Sequence, residues 1–142
     1  MSTTGFASFD STLEKTNRVL RDVEEHYGWT KKQRSRSYAA LRSVLHALRD
    51  RLTVEECADL SAQLPMLIRG IYYEAWNPSH VPVKLHREEF LERVAAQLPY
   101  EVEGEVEDLV QTTLRALRPH ITEGEWTDIK DGLPKEVAEV LP

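Results

Sequence analysis

A single cysteine, Cys57, stands in a chain of 142 residues. One thiol excludes an internal disulfide and any multi-cysteine metal site. Six glycines are scattered singly, and no Gly-Lys-Ser or Gly-Lys-Thr step occurs, so there is no phosphate-cradling loop. There is no His-Glu-x-x-His. The residues three before the five histidines are Val23, Ser43, Asn77, Val83 and Leu117, none acidic, so the Glu-x-x-His pairs of helical di-iron sites are missing too. A calcium loop would need Asp-x-Asp-x-Asp-Gly, which is also absent. The longest strongly apolar uncharged run is Leu64–Ile68, far short of the roughly 20 residues that a membrane span requires. The opening MSTTGFASFD has neither a basic nor an apolar signal region, so a cytoplasmic setting is expected. No cofactor and no metal are expected.

Net charge is −6, which makes nucleic acid an unlikely partner class on electrostatic grounds. The charge is lopsided. Residues 1–76 carry a balance of +1 and residues 77–142 one of −7. The content that remains is helical. β-Branched residues do not cluster and no Asn-Gly turn is present. Ser11…Glu14, Thr30…Gln33, Thr53…Glu56 and Thr122…Glu125 each have the form of a capping box, in which a hydroxyl and a Glu or Gln satisfy the first-turn amides. Behind Ser11 come Leu13, Leu20, Val23 and Tyr27, with Gly28 as a stop; behind Thr30 come Tyr38, Leu41, Leu45, Leu48 and Leu52. Cys57, Leu60 and Leu64 follow Thr53, and Pro65 is placed to open a fourth helix reaching Asn77-Pro78.

Residues 45–65 also lie over residues 114–134 at a constant offset of 69, with nine identities. Among them are Arg49/Arg118, Thr53/Thr122, Asp59/Asp128 and Pro65/Pro134. Upstream, Leu20, Val23 and Trp29 match Leu91, Val94 and Tyr100 after a two-residue shift. The expected fold is therefore an all-α helical bundle, one domain over 1–142, built from two tandem copies of a roughly seventy-residue unit. Copy one covers about 8–76, a linker about 77–85, and copy two about 86–142.

Positions apolar in both copies should be core: Ile68/Val137, Ile71/Val140 and Tyr72/Leu141. Met66 and Leu67 face Lys135 and Glu136 instead, while Tyr73 and Trp76 have no apolar counterpart. Met66, Leu67, Arg69, Tyr73 and Trp76 are thus the candidate partner or ligand surface, unless the second copy simply buries them. Lys31, Lys32, Arg34 and Arg36, at a helix start, are a candidate contact for an anion or an acidic partner, against a plain solvated face. Glu101, Glu103, Glu105, Glu107 and Asp108 form the matching acidic run. His80 and His86 in the linker read as solvated rather than metal-binding, His46 and Asp50 as a surface pair one turn apart, and Cys57 as an inert inward thiol rather than a redox switch.

The run QLPMLIRGIYYEAWNPS, followed by EEFLERV and a fainter GLPKEV near the end, resembles a bacterial family, domain-of-unknown-function family 2267. The resemblance covers nearly the whole chain and implies an all-helical soluble protein of unassigned activity. Relatives often place Gly before the Trp; Ala75 here predicts helix continuing to Trp76.

The leading expectation for function is a non-enzymatic interaction or regulatory module, self-associating or binding another protein and not a membrane. The alternative is a small-molecule sensor with an aromatic pocket between the copies and Arg69 as anion anchor. An unrecognised enzyme is third.

Overall fold

A computed structural model describes residues 4–142. Among these every regular element is helical. The helices are α1 (Ala7–Tyr27), α2 (Arg34–Arg51), α3 (Val54–Ser61), α4 (Met66–Tyr73), α5 (Arg87–Ala96), α6 (Val106–Leu117), α7 (Glu123–Gly132) and α8 (Lys135–Ala138), with short 3-10 turns at Lys31–Gln33, Pro78–His80 and Arg118–His120. None of these helices is long and apolar enough to cross a membrane.

The two longest apolar faces make the centre. In α2, Leu41, Val44, Leu45 and Leu48 are completely buried, and every residue from Ser43 to Asp50 is inside. Leu109, Val110, Leu114 and Leu117 do the same for α6. Burying each such side chain stabilises the fold by roughly 1.5–3 kcal/mol. Small residues at Ser37, Ala40, Ser43 and Ala47 keep α2 slim enough for neighbours on several sides. Its buried hydroxyls are satisfied locally, as when Ser43 Oγ donates to the Ala40 carbonyl.

Around this pair the contacts are reciprocal. α1 packs most extensively on α6, and α5 on α2; α2 also meets α6, and α3 meets α7. The corner after α1 is tied across in the same way. Gly28, at φ 68°, stops the helix in the left-handed conformation. Trp29 then stacks on Tyr27 and meets the edge of Tyr100, whose hydroxyl donates to the Arg36 carbonyl.

Three boundaries differ from the sequence reading. α1 starts at Ala7, four residues before Ser11, because Thr4 and Asp10 bond each other across the first turn. α5 starts with an unforeseen cap, Glu89 Oε1 accepting from the His86 amide at 3.1 Å. α4 stops at Tyr73 and does not run on to Trp76: Ala75 has φ 61°, a left-handed residue inside a turn.

Candidate functional site

Pro65 begins α4 with a fixed φ of −55°. Below it, Ile68 and Tyr72 are fully buried, and Tyr72 donates its hydroxyl to the Cys57 carbonyl at 3.0 Å. Burial pushes the Tyr72 hydroxyl and the Cys57 thiol above their ordinary values, which favours the protonated form of both. Val137, Val140 and Leu141 are buried at the matching positions. Ile71 is half-buried.

The end of α4 is clamped by a guanidinium that sequence reasoning did not single out. Arg49, only 3% exposed, donates Nη1 to the carbonyls of Tyr72 (2.8 Å) and Glu74 (2.7 Å) and Nε to Asp50 (2.8 Å). Arg93 of α5 completes the network on Asp50 at 3.2 Å. The signal for it was the Arg49/Arg118 identity. The expectation of a surface His46–Asp50 pair is overturned: His46 is buried, and its Nε2–H donates to the Ile71 carbonyl at 2.7 Å. Burial holds the imidazole below its ordinary value, helped by the nearby Arg49 and Arg42 charges and opposed by that hydrogen bond.

The five candidate surface residues separate. Tyr73 and Trp76 are half-buried, their rings 5.2 Å apart, and Tyr73 donates its hydroxyl to Ser61 Oγ at 2.8 Å. Arg69 donates to the Ser61 and Leu64 carbonyls at 2.9 and 3.0 Å. Met66 and Leu67, in contrast, face solvent at 55% and 39% exposure, so the second half of the chain does not cover them.

Beside them lies a larger feature. From the N-cap Phe6 along α1, positions 6, 9, 13, 16, 20, 23 and 27 alternate steps of three and four, which is one continuous seam. Thr16, Leu20 and Val23 are buried in the body. Phe6, Phe9 and Leu13 extend the same seam past the body and remain 61%, 45% and 37% exposed. The α4 start is held against this overhang, since the Leu67 amide donates to Thr12 Oγ1 at 2.9 Å. Leu13 had been assigned to an inward face, and so had Tyr38, which is also exposed.

The basic run is drawn into the chain's own charges. Arg34 pairs with Glu24 at 3.2 Å, and Arg36 pairs with Glu103 at 3.6 Å while lying over the rings of Trp29 and Tyr100. Lys31 and Lys32 are exposed. Of the acidic run, Glu107 meets Arg87, and Asp108 accepts from Tyr27 (2.8 Å) and pairs with His26 (3.0 Å). His86 pairs with Glu136 at 2.6 Å, which raises its affinity for a proton, and His80 bonds Asn77. Among the described residues, no group of three or more His, Cys, Asp or Glu side chains is arranged to hold a metal.

An open groove of about 500 Å³ lies between the polar face of α1, the α3–α4 corner and the 3-10 turn before α7. Met66 and Arg69 line it; Tyr72, Tyr73 and Trp76 do not. Its other walls include Ser8, Ser11, Thr12, Lys15 and His120, which no spacing in the sequence connects. Chemically the site offers hydrogen-bond donors and an apolar ledge.

The family model described as "Uncharacterized conserved protein (DUF2267)" matches residues 16–140. No curated protein matches the chain.

Proposed function

We propose, for a chain that belongs to the DUF2267 family, a non-enzymatic helical interaction module that self-associates through the uncovered half of the α1 seam. The single observation carrying this is the exposure of Phe6, Phe9 and Leu13 in register with the buried Thr16, Leu20 and Val23. Met66 and Leu67 widen the patch from α4. The occupant is a second copy of this chain. A helical seam with apolar residues at alternating steps of three and four is complementary to itself across a twofold axis. The charge evidence points the same way: cations of the first half and acids of the second pair within the chain, at Arg36–Glu103 and His26–Asp108.

The chain is read as one domain of two units, about 8–76 and 86–142, joined through 77–85. In support, α3 and α7 follow capping threonines 53 and 122, and α1 packs on α6 as α5 does on α2. The buried thiol suits a reducing, cytoplasmic setting.

Full burial of such side chains contributes roughly 1.5–3 kcal/mol each, and association costs about 4–15 kcal/mol. Five partly exposed apolar side chains per copy supply the area that offsets this cost. Light scattering across a concentration series should show dimer, insensitive to salt because the contact is apolar. Phe9→Glu and Leu13→Glu should give monomers whose Tm matches that of the wild type at concentrations where it too is monomeric. A wild-type chain that stays monomeric at about 1 mM would refute the reading.

A further inference from the structure

The groove beside α4 collects positive charge in a chain whose net charge is −6. Its cationic and titratable walls come from three separate elements: Lys15 on α1, Arg69 on α4, and His120 on the 3-10 turn Arg118–His120. Among the described residues, no acidic side chain lines it. Lys15, Arg18, Arg69 and His120 take part in no ion pair among the described residues, although most other arginines here do. Unneutralised cations converging on one concavity raise the local concentration of anions.

The donors are held in place. Two carbonyls, Ser61 and Leu64, fix the plane of the Arg69 guanidinium through Nε and Nη2, leaving Nη1 uncommitted among the described residues. Thr12 accepts from the Leu67 amide, so its own hydroxyl proton is available to a ligand. The floor is tied as well: Gln63, which lines the groove, accepts from the Thr122 amide at 2.8 Å and so locks the α3–α4 corner to the turn that carries His120. Such preset donors cost little reorganisation on binding. Pro65 and Met66 supply an apolar ledge beside them, and about 500 Å³ is room for a small organic body.

We propose that this groove binds a small phosphorylated metabolite, its phosphomonoester dianion held by Lys15, Arg69 and His120 and its organic body resting on Met66. Three donors converging from separate elements suit a tetrahedral dianion better than a carboxylate, which offers two acceptor oxygens rather than three. His120 supplies an internal reporter. Burial, with Lys15 and Arg18 close by, holds its imidazole below the ordinary value; a dianion seated between these cations reverses their effect and favours the protonated ring.

The test is a titration of the full chain with inorganic phosphate, ribose 5-phosphate, adenosine 5′-monophosphate, unphosphorylated adenosine and a short single-stranded oligonucleotide. Binding is followed by calorimetry and by the His120 ring proton resonances. At least one phosphomonoester should bind tenfold or more tightly than adenosine and raise the His120 titration midpoint. Lys15→Glu and His120→Gln, both on the groove wall, should each weaken that binding tenfold or more. Their Tm and oligomeric state should stay as in the wild type, which separates this result from the fate of the self-association reading. The proposal is overturned if no phosphorylated probe binds at about 10 mM, if both variants bind like wild type, or if the oligonucleotide binds more tightly than every monophosphate.

Discussion

At Ala75 the backbone stands at φ 61°, a region that costs a residue with a Cβ roughly 1–2 kcal/mol. The turn holds because Arg49 grips the carbonyls on either side of Tyr73. Ala75→Gly should therefore stabilise the protein by about 0.5–1 kcal/mol, the strain relieved being partly offset by the greater freedom of unfolded glycine. A urea midpoint that falls would contradict this account. Arg49→Ala should cost about 3–5 kcal/mol, because Asp50 would stay buried with only the more distant Arg93 as partner. Arg49→Lys should recover little of it, since an ammonium cannot reach two carbonyls and a carboxylate in one plane. Neither residue's role was legible beforehand. Helix propensity favoured Ala75 as helical, and the tertiary clamp that overrides propensity comes from a residue 26 positions earlier. What the sequence did show was that Ile68 and Tyr72 are core, since both lie on one apolar helix face.

Caps decide where the elements begin, and those of α3 and α7 are completed differently. Thr53 and Thr122 each accept from an amide three residues on, at 3.2 Å. Replacing either by Ala should lower stability by about 1 kcal/mol. The reciprocal half differs: Glu56 reaches back to the Thr53 amide, whereas Gln63 serves the Thr122 amide. Glu125 is thus relieved of capping. Partial burial and the neighbouring Asp59, Asp128 and Glu56 carboxylates raise its proton affinity. A carboxyl whose pKa is higher folded than unfolded destabilises the fold when ionised, and the penalty lifts as pH falls toward the carboxylate range. Glu125→Gln should raise Tm at pH 7 and make no difference near pH 4; an equal gain at both would rule out the electrostatic cause. Thr30, Thr53 and Thr122 were readable as helix starts because a capping box is a local pattern. Ser11 misled for the same reason: the box satisfied the pattern, while Thr4 and Asp10 had already started the helix upstream.

Over the whole molecule, the buried His46 and half-buried His120 should make stability fall on mild acidification, opposed by the exposed His86–Glu136 pair and by Glu125. His46 is buried with its folded pKa below the ordinary 6.5, and His120 shifts the same way. The unfolded chain therefore takes up the extra protons, and stability that is full above about pH 6.5 is lost as pH falls below it. Thermal melts from pH 7.5 to 5 should show this loss, and His46→Gln, which keeps a donor for the Ile71 carbonyl, should flatten it. The all-helical architecture was legible from periodicity and caps. The groove and the uncovered seam were not, because both depend on where one element stops covering another. Thr16 and Leu13 belong to the same stripe, and only the position of the body decides that one is inside and the other outside.

The crossed packing of α1 on α6 and of α5 on α2 has a further consequence for the connection between Tyr73 and Arg87. Each half closes the other's core, so this tether sets the local concentration of one half around the other, not their shape. Severed there by a site-specific protease, the chain should remain one particle in dilute buffer and come apart only in denaturant. Either fragment alone would be left with its hydrophobic faces open and in need of a complement.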